Sequence, residues 1–141
     1  MKTLLLIAFL ITISYAADRE KLKIFYQVYQ KCLKEQNAQA WIPEAVRCVL
    51  YKLEIIDDKS AIIKDKLFTQ YGYIISDENK LNQAKEIFNK CDEQAKRAPG
   101  TNEEKLMLII TCIKPTEDLF DEPPAMKKRR SHFLSHNIHI K

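Results

Sequence analysis

Pro43-Glu44-Ala45-Val46-Arg47-Cys48-Val49-Leu50-Tyr51-Lys52-Leu53 is the stretch on which the fold class turns. Proline suits the first position of a helix, where its missing N–H has no partner to lose. Val46, Val49, Leu50 and Leu53 then recur at intervals of three and four, the spacing of one inward helical stripe. Cys48 sits inside this helix, so a bridge from it would tie the helix to a neighbour. Asp57-Asp58-Lys59-Ser60 follows as a turn.

The same period extends outward in both directions. Toward the N-terminus, Leu22, Phe25, Tyr26, Tyr29, Cys32 and Leu33 share a stripe on a first helix that Asp18 can cap, and Lys34 to Ile42 form a loop carrying the only tryptophan, Trp41. Toward the C-terminus, Ile63, Leu67, Phe68 and Tyr71 mark a third helix expected to stop near Gly72. Ser76 or Asp77 opens a fourth, with Leu81, Ala84, Phe88 and Cys91 inward. Arg97 to Asn102 is a loop, and Thr101-x-x-Glu104 reads as a capping box for a fifth helix through Leu106, Ile109, Ile110 and Ile113. Pro115 ends it, and Thr116 to Phe120 add one more turn. With two glycines in 141 residues and Leu, Ile, Lys, Glu and Ala abundant, the composition favours helices over a sheet. The expectation is an all-α, single compact domain of about five or six helices.

Met1-Lys2 precede an apolar run from Thr3 to Ile13, and Ser14-Tyr15-Ala16 end in small residues at the −3 and −1 positions. This is the pattern of a secretory signal peptide, residues 1–16, cut after Ala16. The run is shorter than the roughly 20 apolar residues a membrane span needs. An exported chain with four cysteines, Cys32, Cys48, Cys91 and Cys112, reads as a two-disulfide protein. Three pairings are open; locality favours Cys32–Cys48 with Cys91–Cys112, each tying neighbouring helices. No pair has the C-x-x-C spacing usual in zinc sites, so no metal is expected.

Residues 17–122 form the helical domain, and residues 123–141 a basic tail. Lys127-Lys128-Arg129-Arg130 lies in this tail, which carries +5 of a mature net charge of +3 and leaves the body near −2. Such a run reads as a polyanion contact for heparin-like glycans or polyphosphate, as a processing site for proteases that cut after paired basic residues, or as a solvated tail.

Enzyme signatures are missing. His132, His136 and His139 all lie in the tail, so the body has no imidazole base, and four paired cysteines leave no thiolate. There is no G-x-S-x-G, H-E-x-x-H or glycine-rich phosphate loop. The chain reads as non-enzymatic and without a cofactor. The three histidines align on one helical face only if the tail is helical, which nothing else in its sequence suggests.

Arg47-Cys48-Val49-Leu50-Tyr51-Lys52-Leu53-Glu54-Ile55-Ile56-Asp57-Asp58 resembles the segment around the third cysteine of insect odorant-binding proteins, where a K-L-G-hydrophobic-hydrophobic-D pattern leads into a turn. The intervals from Cys48 to Cys91 and from Cys91 to Cys112 also resemble those of the family, over about Leu22 to Pro115. Two further family cysteines fall at Glu44 and Glu103; the family pairs them with each other, as if one bridge were lost as a unit. The resemblance then implies the same two surviving pairs. The short interval between Cys32 and Cys48 implies that part of the first helical hairpin is missing. It is similar to that of small salivary proteins of sand flies that bind anionic polymers. Trp41, with Gln70-Tyr71, resembles the salivary amine- and lipid-binding relatives in other blood-feeding flies.

The resemblance implies a secreted, extracellular carrier or scavenger of a small apolar or amphipathic ligand: an odorant, lipid or amine. The alternative is a salivary effector that binds anionic polymers through Lys127, Lys128, Arg129 and Arg130 and so interferes with host haemostasis. Together with the aromatic residues on inward stripes, the resemblance places Trp41 and Tyr71 at the border of a ligand site and Tyr51, Phe68 and Phe88 deeper. No specific nucleic-acid contact is expected.

Overall fold

The computed structural model describes residues 2–123, with side chains described from residue 19. Five α-helices and a final 3-10 turn follow one another: α1 Lys2–Glu35, α2 Pro43–Lys52, α3 Lys64–Ile74, α4 Glu78–Arg97, α5 Asn102–Cys112 and the 3-10 helix Lys114–Leu119. The all-α expectation holds. Among the described residues the only extended pairing is a single antiparallel bridge, Ile56 to Ile62.

Each helix buries the stripe its period dictates. Leu22, Phe25 and Cys32 are buried on α1, Ala45, Val46, Val49 and Leu50 on α2, and Leu67, Tyr71 and Ile74 on α3. Ala84, Phe88, Cys91 and Ala95 do the same on α4, and Leu106, Ile109 and Ile110 on α5. α1 packs on α2 and α3, α2 on α5, α3 on α4, and α4 on both α5 and the 3-10 helix. Cys32–Cys48 joins α1 to α2, and Cys91–Cys112 joins α4 to α5. Loops of these lengths are worth about 3 kcal/mol each when closed covalently.

Caps decide where the helices stop. Asp77 accepts the Lys80 N–H at 3.0 Å and Thr101 the Glu104 N–H at 3.2 Å, so both expected N-caps are present. The expected cap at Asp18 is absent. α1 already runs from Lys2, because residues 1–35 contain no glycine or proline to interrupt it. Nor does Gly72 stop α3: it lies exposed within the helix, which continues until buried Ile74 and Ile75 turn the chain inward.

At the ends of α1 and α2 the same device appears twice. Ala38 N–H donates to Leu33 C=O at 2.9 Å and Asn37 N–H to Lys34 C=O at 3.2 Å, with Asn37 at φ 52°. Ile55 N–H donates to Leu50 C=O at 2.8 Å and Glu54 N–H to Tyr51 C=O at 3.0 Å, with Glu54 at φ 59°. Both are Schellman motifs, in which the residue after the cap adopts the left-handed conformation. Asparagine tolerates that conformation; glutamate does so at a steric cost. Glu54 stands where the resembled pattern has glycine, the residue that adopts this conformation without steric cost. Beyond it, Asp57 closes the loop by accepting the N–H groups of Lys59 and Ala61, each at 2.9 Å, and Ile63 N–H reaches Ile55 C=O at 2.7 Å.

Between α2 and α5, Arg47 meets Glu103 at 2.6 Å. Both side chains are about 40% exposed, so this pair is worth less than about 1 kcal/mol and does not replace a disulfide. The Arg47 guanidinium also lies 5.3 Å from the centre of the Tyr51 ring.

Replacing Glu54 by glycine relieves the left-handed strain while adding freedom to the unfolded chain. The two opposed effects leave a net gain of a few tenths to about 1 kcal/mol. The expected result for Glu54→Gly is a higher midpoint in denaturant unfolding with an unchanged slope. Glu54→Ala, which keeps the steric problem, should show no such gain.

Candidate functional site

Among the described residues the packing leaves an apolar cavity open to solvent; the empty space within it and in the solvent at its mouth comes to about 450 Å³. α1 contributes Phe25 and Tyr29, the following loop Trp41, and α2 Val46, Val49 and Leu50. Leu53 and Ile55 enter from the turn after α2, and Leu67, Gln70, Tyr71 and Ile74 from α3. Ile113, Thr116 and Phe120 complete the wall. No lining residue is charged. Tyr29, Trp41, Leu53, Gln70 and Phe120 keep part of their surface exposed and mark the mouth.

Aromatic rings form much of the wall. Phe25 meets Phe120 edge-on at 5.5 Å and stacks with Tyr29 at 6.1 Å; Tyr71 lies 6.3 Å from Phe120. Phe120 is held there by the next residue. Asp121 N–H donates to Ile74 C=O at 2.8 Å, its carbonyl accepts the Tyr26 hydroxyl at 2.7 Å, and its carboxylate accepts both Ser76 N–H and Ser76 Oγ–H at 3.1–3.2 Å. This strap binds the end of the described chain to α1 and to the α3–α4 turn.

Trp41 and Tyr71 therefore stand in the cavity wall. Tyr51, Phe68 and Phe88 do not, which corrects their expected deep placement. Tyr51 follows Leu50 by one residue, a rotation of about 100° that carries it off the buried stripe, and it is 43% exposed. Phe68 is likewise rotated from Leu67, toward α4, where its ring meets the buried Phe88 edge-on at 5.7 Å. These two rings pack α3 against α4. Lys127, Lys128, Arg129 and Arg130, like the three histidines, lie outside the described residues. Phe120 was not expected at the site. Its role depends on a tertiary strap, and no local pattern in the sequence announces one.

Phenols bring the polar chemistry. Tyr71 is only 3% exposed, and its hydroxyl has no hydrogen-bond partner. Neighbouring Thr116 eases its ionisation slightly, but the Thr116 hydroxyl is committed to the Ile113 carbonyl at 2.7 Å and makes no bond of acceptable geometry to Tyr71. Leaving such a group unpaired costs about 1–3 kcal/mol. Burial pushes the Tyr71 phenol up to about 12. Tyr26 and Tyr29 are also pushed up to about 12, first by burial and then by Asp121 and Glu117 for Tyr26 and by Glu117 for Tyr29. Burial, followed by Asp118, raises the Glu117 carboxyl as well. Among the described residues, one group has metal-ligand proximity: Cys32, Glu35 and Cys48. Both of its sulfurs are joined to each other, so neither is a thiolate.

Residues 35–117, more than half of the chain, match the ant venom allergen Sol i 2 family. The chain belongs to that family. The matched segment holds Trp41, the α2 and α3 walls, Thr116 and three of the four cysteines, whereas Cys32, Phe25, Tyr29 and Phe120 lie outside it. Those parts of the cavity that the Sol i 2 segment does not include are the α1 face and the strap. No curated protein matches the chain.

The raised phenols set a pH window. The unfolded chain releases tyrosine protons near pH 10, the folded chain near 12, so their stabilisation is complete below pH 10 and is lost between 10 and 12. Helical circular dichroism should collapse in that window, together with the rise of phenolate absorbance from Tyr26, Tyr29 and Tyr71. Tyr71→Phe removes one of these ionisations and one unpaired hydroxyl, and should move the alkaline midpoint upward. A lower midpoint would show that the hydroxyl is satisfied inside the fold.

Proposed function

We propose that this protein is a secreted, non-catalytic carrier or scavenger that holds a small apolar or amphipathic ligand in its helical cavity. The observation that carries the reading is the cavity itself: aromatic and aliphatic walls, no charged lining residue, and a mouth flanked by Trp41 and Phe120. A cavity lined without carboxylate, imidazole or amine supports binding over acid–base catalysis. We further propose that the domain is of the odorant-binding type with one bridge fewer. The two disulfides support this, as does the left-handed Glu54 at the position where the resembled pattern has glycine. Export is supported by the apolar run before Ala16, by disulfides suited to an oxidising compartment, and by the family's name, which refers to venom. No helix of the described residues is long and apolar enough to cross a membrane.

Binding is tested by displacement of a fluorescent apolar probe from the chain lacking residues 1–16. Trp41→Ala should weaken probe binding more than tenfold, the scale of losing one large aromatic contact, with helical circular dichroism retained. Leu108→Ala, at an exposed position off the cavity, should change nothing. A probe that never binds, or that ignores Trp41→Ala, would defeat the reading.

The basic run favours a second reading, in which Lys127, Lys128, Arg129 and Arg130 bind heparin-like glycans or polyphosphate. Removing residues 126–141 takes away five positive charges and no negative one. Retention on heparin should then fall sharply and lose its salt dependence, while probe affinity stays constant. Equal retention of both forms would reject it.

A further inference from the structure

Among the described residues, only Arg47 Nε and the Tyr71 hydroxyl are buried side-chain polar atoms without a partner, and of these only Tyr71 lines the cavity. Buried polar groups are paired in most proteins, and an exception calls for a reason. Here the reason has a direction. The Thr116 hydroxyl donates to Ile113, and none of the polar oxygens in the lining, on Thr116, Gln70 or Tyr29, forms a hydrogen bond with the phenol, so its proton is left without an acceptor.

We propose that the cavity selects a neutral amphipathic ligand whose ketone, ester or alcohol oxygen accepts a hydrogen bond from Tyr71 while its hydrocarbon chain lies along Phe25, Leu50, Leu67 and Phe120. This inference rests on the ligand-binding reading above and narrows it. A phenol is protonated at neutral pH, and burial only pushes its ionisation further away, so it offers a donor and not an anion. A carboxylate ligand would reach the same depth with no lysine, arginine or histidine in the lining to receive it, which makes its burial costly. A cationic amine finds no carboxylate in the lining either; Glu117, the acid nearest Tyr29, is outside the wall. A plain hydrocarbon enters but leaves the phenol unpaired. The discrimination is therefore between ligands of one length and different heads.

Three ligands with the same number of carbons make the test: methyl nonyl ketone, undecane and undecanoate. Each displaces the fluorescent probe from the chain lacking residues 1–16, at neutral pH. The ketone should bind about tenfold more tightly than undecane, the worth of one net hydrogen bond, and undecanoate most weakly. In Tyr71→Phe the ketone should fall to the level of undecane, with undecane itself unchanged. Thr116→Val should keep the ketone preference; its loss there with retention in Tyr71→Phe would assign the contact to Thr116 and overturn the proposal. Equal affinity for ketone and undecane in the unaltered chain would also overturn it, as would undecanoate binding tightest, and both would leave the cavity reading standing. Displacement by none of the three would overturn both. Because the head-group ratio is read first in the unaltered chain, a variant that fails to fold does not rescue the proposal.

Discussion

The Cys32–Cys48 bond is the constraint on which the cavity depends. It fixes the end of α1 against the middle of α2, and those two helices supply one side of the wall: Phe25 and Tyr29 from α1, Val46, Val49 and Leu50 from α2. The connection between them is short, and the left-handed Asn37 bends it back immediately after α1. Trp41 is thereby delivered to the cavity mouth by a loop with covalent closure behind it. Without that closure the loop would have to be ordered by side-chain packing alone, against a chain-entropy cost of about 3 kcal/mol.

Much of this was legible because helical period is a direct consequence of burial. The stripes on α1, α2, α4 and α5 and the caps at Asp77 and Thr101 follow from spacing and side-chain chemistry, while of three open cysteine pairings locality and the resemblance both favoured the one observed. The errors have equally physical origins. Tyr51 and Phe68 each lie one residue from a truly buried position, and aromatic character was a poor guide to which side of a 100° step would face the cavity. Gly72 showed that glycine ends a helix only where the fold requires a left-handed residue. The chain meets that requirement elsewhere with Asn37 and Glu54. Phe120 was illegible because its position is set by Asp121 bonding to Ile74, Ser76 and Tyr26, partners up to 95 residues distant in the chain.

Covalent bonds divide the domain into two tied pairs, α1 with α2 and α4 with α5. The cavity lies among the α1–α2 pair, α3 and the segment from Ile113 to Phe120, and no disulfide lines it. The pairs are joined directly by the packing of α2 on α5 within one hydrophobic core, and at its surface by the half-exposed Arg47–Glu103 ion pair. The strap's bonds to Ser76 are exposed to water, and each such bond has a net worth of about 1 kcal/mol. The strap side of the cavity is thus held partly by bonds that compete with solvent, while α1 and α2 are fixed to each other covalently. An apolar chain entering past Phe120 would exchange ring-to-ring contacts for ring-to-ligand contacts of similar kind.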